Sequence, residues 1–95
     1  SNALSEIQLA ITNFNYIEIN YQKAHDPTIS FRKIEPCAMY STNHKWILIA
    51  YCHLRKEMRA FRIDRIKHFK ILPEKFEDRK FSLQEHFADD PYCEK

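Results

Sequence analysis

Glycine is absent from this 95-residue chain, where an average domain carries about 7%. Every tight turn therefore has to be made from Asn, Asp, His, Ser or Pro, the other residues suited to reversing a chain. The same absence excludes a P-loop and a dinucleotide-binding fingerprint, because both need glycine for close approach of backbone to phosphate. With 7 Phe, 5 Tyr and 1 Trp, a chain of this length can fill one small core with few large side chains.

Ser1-Asn2-Ala3 reads as the residue of tag cleavage and is set aside from fold reasoning. Residues 4–95 read as a single domain. No apolar run approaches the roughly 18 residues of a membrane helix, and no secretory signal is visible. Cys37, Cys52 and Cys93 are odd in number and lack C-x-x-C spacing, which disfavours a zinc or redox site. Cys52 lies in an apolar strand and is expected as a small core residue. The expected reading is reduced thiols in a cytoplasmic protein.

Hydrophobic periodicity gives the elements. Leu4 to about Phe14 reads as a helix with Ile7, Ile11 and Phe14 on one face, and Ser5 with Gln8 fits a capping box. Tyr16 to Gln22 alternates as a half-buried strand with Ile17, Ile19 and Tyr21 pointing one way. Asp26-Pro27 marks a turn. A strand from about Thr28 to Ile34 follows, limited by Pro36, with a short extended piece at Ala38–Tyr40 and a polar turn over Ser41–His44. Lys45 to His53 is apolar on both faces and is expected to be covered on both. Leu54 to Glu57 reads as a hairpin turn and Arg59 to Ile63 as the return strand. The phase then slips, since Ile66 follows Ile63 by three residues, which predicts a bulge or bend near Asp64-Arg65. A last strand from about Lys67 to Leu72 stops at Pro73, Glu74–Lys80 is a charged loop, and Ser82 with Glu85 caps a short helix. The expected fold is mainly β (α+β): a small antiparallel SH3-like or Sm-like barrel with a short helix at each end.

Charge is uneven along the chain. Arg55 to Lys70 carries seven basic residues against two acids, a local +5 in a chain of net +2. The segment from Glu74 onward carries seven acids and four bases, a local −3. Guanidinium groups offer a planar fork to phosphate or carboxylate, so the basic strand fits an anionic ligand. The bland alternative is a solvated strand face with Glu57 and Asp64 as partners. Tyr21, Tyr51, Phe61 and His53 could supply stacking surfaces beside it, although Phe61 reads as core. The five histidines show no H-x-x-x-H or H-E-x-x-H spacing, so no metal site is expected. Cys52 and His53 point to opposite faces of one strand and cannot form a catalytic pair. No catalytic group and no cofactor site is found.

The central stretch resembles the WYL domain, the usual regulatory part of bacterial helix-turn-helix transcription regulators. The matching pieces are Arg32-Lys33-Ile34-Glu35-Pro36, Ala50-Tyr51-Cys52, Arg59 to Ile66 and the closing Phe81–Phe87. Two departures are plain. The naming triplet is Trp46-Ile47-Leu48, without the family tyrosine, and Lys56 stands at the usual turn glycine. The resemblance implies the same small barrel, a ligand site along the basic stretch at Arg59, Arg62 and Arg65, and a DNA-binding domain upstream of this fragment. Together these readings give an expected ligand-binding set of Arg59, Arg62, Arg65, Tyr51, His53, Tyr21 and Arg32.

The leading functional expectation is a non-enzymatic sensor module. It would bind a nucleotide or short single-stranded nucleic acid, signal to a helix-turn-helix domain, and work as a homodimer in the full protein. Direct nucleic-acid binding and dimerisation through the strand face at Ile47 and Ile49 are the alternatives. The modest net charge argues mildly against the former.

Overall fold

A computed structural model describes residues 3–88. Helix α1 (Ala3–Thr12) leads into β1 (Asn15–Gln22), β2 (Ile29–Thr42), β3 (Lys45–Cys52) and β4 (Glu57–Arg62). A single 3-10 turn, η1 (Ile63–Arg65), then precedes β5 (Ile66–Lys75) and the short α2 (Leu83–Ala88). All five strands are antiparallel neighbours in the order β4-β3-β2-β1-β5.

Strand alternation sorts the side chains onto two faces. The inner face carries Ile17, Ile19, Tyr21, Ile34, Leu48, Ala50, Cys52 and Phe61, and α1 covers it with Ile7 and Ala10. Cys52 is a core residue as its sequence context implies. The sheet curls far enough for Tyr21 of β1 to meet Phe61 of β4 edge-on, with ring centroids 5.0 Å apart. Even so, the expected closed barrel is not formed. Strands β4 and β5 are the two edges of an open sheet. The three residues of η1 turn the chain between them, where the phase slip in the sequence falls.

Pro36 does not end its strand. β2 runs for 14 residues through it, taking in the separate extended piece expected at Ala38–Tyr40. The reason lies in the pairing. The first half of β2, Ile29 to Ile34, pairs with β1, and the second half, Ile34 to Thr42, pairs with β3. Pro36 sits just past the end of the β1 ladder, beside a register shift between Pro36 and Ala38, where its missing N–H leaves no ladder position empty. Pro73 is likewise accommodated inside β5, an edge strand, at the irregularity between the Asn15 and Ile17 pairs. The Ser5–Gln8 capping box is also not realised, because α1 already begins at Ala3 and Ser5 lies within it. Ser82 does cap α2, its Oγ accepting from the Glu85 N–H at 3.2 Å. Ser1, Asn2 and Cys93 lie outside the described residues.

Without glycine, the chain makes its turns at a steric cost. Asn43 and His44 both have positive φ, 50° and 61°, and link the Thr42–Lys45 pair as a two-residue hairpin turn of the type that matches strand twist. Phe14, Lys56 and Lys80 also take left-handed conformations, which widens the expected set of turn residues. Lys56 closes the β3–β4 loop, its N–H donating to the Cys52 carbonyl at 2.7 Å. A residue with a Cβ pays about 1 kcal/mol there. Lys56→Gly is therefore expected to raise stability by up to about 1 kcal/mol. The check is a higher urea midpoint with an unchanged slope; a lower midpoint would contradict it.

Candidate anion-binding site

Arg32 is a buried arginine of β2. Its neighbours in β2 alternate, so position 32 falls on the inner face between Ile34 and the turn. Its side chain is consequently only 2% exposed. Nε donates to Ser30 Oγ at 3.0 Å, one terminal nitrogen donates weakly to Cys52 Sγ at 3.6 Å, and the guanidinium stands 5.7 Å from the centre of the Phe61 ring. No carboxylate forms an ion pair with Arg32 among the described residues. A buried cation without a counter-ion is costly, and natural interiors almost always pair one.

An open hollow of ≈190 Å³ lies over this guanidinium. The β1–β2 loop contributes Lys23, Asp26 and Thr28 to its wall, the β3–β4 loop contributes Leu54 and Arg55, and Ser30 lies beside Arg32. Three cations face one acid. Asp26 Oδ1 accepts from the Thr28 N–H at 2.9 Å, and that bond holds its carboxyl below the usual range. Asp26 is thus an anion held by its own turn rather than a partner for Arg32.

The three arginines of the basic stretch are not gathered on one surface. Arg59 pairs with Ala50 and lies on the inner face with Phe61, whereas Arg62 pairs with Ile47 on the outer face. Arg59 and Arg62 both already have a carboxylate. Arg59 reaches Glu57 at 2.7 Å, and Arg62 forks onto Asp64 at 3.0 and 2.5 Å. The Asp64 bond pushes Arg62 up and holds Asp64 down, with Lys45 lending a second charge at 3.8 Å. Arg65 stands in η1. Tyr21 is a core ring whose hydroxyl accepts the Arg62 N–H at 3.0 Å.

Tyr51 and His53 face the outer side, around an acid the sequence reading did not single out. Glu35 is only 4% exposed. It accepts from Arg79 Nε at 2.7 Å and lies 2.7 Å from His53 Nε2. Burial works against the charged form, yet the bonds from Arg79 and His53 outweigh it and hold the carboxyl below its ordinary 4.5. The Arg79 guanidinium also stacks over Tyr51 at 3.6 Å. The segment after β5 thereby straps across the outer face, with Phe76 against Phe14 and Tyr16 and Phe87 against Tyr40. On the outer side of β3, Ile49 is 1% exposed and Ile47 half-buried, so of the two residues of the expected dimer face only Ile47 is open to a partner. A hollow of ≈450 Å³ lies here, but Glu35, Glu77 and Asp78 line it together with Tyr16 and the engaged Arg79. Three acids around one satisfied cation repel an anion. The smaller hollow over Arg32 has the sign an anion needs.

One signal could have exposed Glu35: an acid between Ile34 and Pro36 inside an apolar run must be paired. Nothing local marks Lys23 and Arg55, which two loops bring together.

The WYL domain family model matches residues 2–71. This chain belongs to the WYL family. Among curated relatives, the DNA-binding transcriptional repressor CapW of Pseudomonas aeruginosa is 40% identical over 58 residues, 61% of this chain and 19% of that protein. The uncharacterized HTH-type transcriptional regulator YobV of Bacillus subtilis is 32% identical over 71 residues, 75% of this chain and 22% of its own. The proteasome accessory factor B/C of Arthrobacter aurescens superposes with a TM-score of 0.72 at 26% identity, over 78% of this chain and 12% of that structure. The WYL domain described here thus spans about a fifth of the curated relatives it matches, and those relatives are named as regulators of transcription.

Proposed function

We propose that this WYL domain is the ligand-sensing part of a bacterial transcription regulator. It binds an anionic ligand, a nucleotide or a short single-stranded nucleic acid, and signals to a helix-turn-helix domain outside this chain. It binds and does not catalyse, acts in the cytoplasm, and reaches DNA through that second domain, in a full-length protein that works as a homodimer. The observation that carries the reading is the buried Arg32, which no carboxylate among the described residues pairs, at the floor of a cationic hollow.

Arg32 is the primary anion contact, and Arg59 stands on the same face of the sheet. Arg62, Arg65, Tyr51, His53 and Tyr21 complete the proposed set in a supporting role. They position the strand that bears Arg59 or, like Tyr21 against Phe61, the core beneath it. The pairing of Arg59 with Glu57 and of Arg62 with Asp64 lowers the charge left to attract a long polyanion. That favours a compact site over a general nucleic-acid surface.

Fluorescence anisotropy with a labelled single-stranded oligonucleotide of about eight bases tests this, run at about 50 and 200 mM salt. A compact site predicts saturable binding that mononucleotides displace and that weakens only shallowly with salt. Arg62→Ala is expected to weaken binding less than Arg32→Met. Loss by several decades over that salt range, or an Arg62 effect larger than the Arg32 effect, would move the function to an extended nucleic-acid surface.

A further inference from the structure

We propose that the hollow between the β1–β2 and β3–β4 loops recognises a terminal phosphate monoester, with Lys23 and Arg55 as rim contacts and Arg32 as the floor. This rests on the ligand-binding reading above and specifies which part of the ligand the site reads.

Shape comes first. Arg32 is buried while Lys23, Thr28, Leu54 and Arg55 are exposed, so the hollow is a funnel with a cationic floor. At ≈190 Å³ it has room for one small group. A diester phosphate carries chain on both sides, and both arms would have to pass the rim. A terminal phosphate needs only one exit.

Charge points the same way. A monoester carries about −1.5 to −2 charges at neutral pH and three strong acceptor oxygens. A diester carries a single charge. Lys23, Arg32 and Arg55 supply three positive charges, and Asp26 removes one, which leaves an excess matched to the dianion. Donors are also on hand. Arg32 commits Nε to Ser30 and one terminal nitrogen weakly to Cys52, so guanidinium N–H groups remain for oxygen acceptors. The Ser30 hydroxyl is spent on the Tyr21 carbonyl at 3.4 Å and the Thr28 side chain on Asp26, so the free donors are those of the three cations.

Asp26 makes the idea sharply testable. Its carboxylate opposes the ligand's charge, yet its turn needs only an acceptor for the Thr28 N–H. An asparagine Oδ1 can accept the same bond. Asp26→Asn should therefore keep the loop and tighten monoester binding by about fivefold, from removal of one like charge near the site.

The experiment compares one eight-base oligonucleotide with a 5′-phosphate, a 3′-phosphate or hydroxyls at both ends, with ribose 5-phosphate and inorganic phosphate as competitors. A phosphorylated end is expected to gain about tenfold or more over hydroxyl ends. That gain should vanish in Lys23→Ala and Arg55→Ala and grow in Asp26→Asn. Binding of ribose 5-phosphate without either phosphorylated oligonucleotide supports the monoester site and makes its source a small metabolite. Equal affinity for phosphorylated and hydroxyl ends, lost in Arg32→Met, overturns the terminal-phosphate inference and leaves the anion-sensing function standing. No binding of any probe overturns that function, and this inference with it.

Discussion

Arg32→Met should separate binding from stability. Loss of the buried guanidinium is expected to reduce affinity for an anionic ligand by about 100-fold or more, the scale of two or more charge-assisted hydrogen bonds. Folding stability should hold or rise. The effective penalty for burying a lone cation is several kcal/mol. What offsets it here is one bond to Ser30, one weak contact to Cys52 and a ring at 5.7 Å, the last worth about 0.5–2 kcal/mol. Met fills much of the same volume without the charge, and Ser30 keeps its bond to the Tyr21 carbonyl. A gain of about 1 kcal/mol would appear as a rise of about 4–8 °C in the melting temperature of a domain this size. Paired thermal melts and anisotropy titrations decide it. A lower melting temperature with undiminished binding would make Arg32 a structural residue and remove the basis of the proposed site.

Glu35→Ala should act in the opposite sense, costing stability without touching the hollow over Arg32. The substitution removes a carboxylate that is 4% exposed and held by Arg79 and His53. Breaking a fully buried pair costs about 3–5 kcal/mol. Here both partners are 41% exposed and can return to water, so a loss of about 2 kcal/mol is expected once solvent screening is allowed for. The strap across β3 should loosen as Arg79 leaves Tyr51. Glu35→Gln adds the pH test. The folded carboxyl lies below 4.5, so its contribution is complete above that pH and is lost as pH falls through the folded value. Asp26 and Asp64 are also held low and lose stability in the same window. The informative quantity is therefore the difference between wild type and Glu35→Gln, measured by urea unfolding at neutral pH and near pH 3. That difference should shrink on acidification. A constant difference would mean that Glu35 acts by packing alone.

Alternation was enough to locate β1 and β4, and an unbroken apolar run located β3, because side-chain direction and apolar character along a strand are local properties. Ile17, Ile19 and Tyr21 are buried together, as their spacing requires. The slip between Ile63 and Ile66 marked η1 for the same reason. Pro36 and Pro73 misled, because a proline's cost depends on whether a neighbouring strand needs its N–H, and that is a property of the sheet. The arginine count along β4 was legible and its division was not. Residues 59 and 62 differ by an odd number and so face opposite ways, while the acids that neutralise them stand two positions away on the same faces.

The family, the run of strands and the basic character of the middle of the chain follow from residue order, since each rests on neighbours a few positions apart. The pairing of Glu35 with Arg79, the burial of Arg32 away from the carboxylates of the described residues and the meeting of Lys23 with Arg55 do not. They arise where the sheet curls and two loops converge, joining positions more than thirty residues apart. Only folding sets whether a charge there meets a partner or an open hollow.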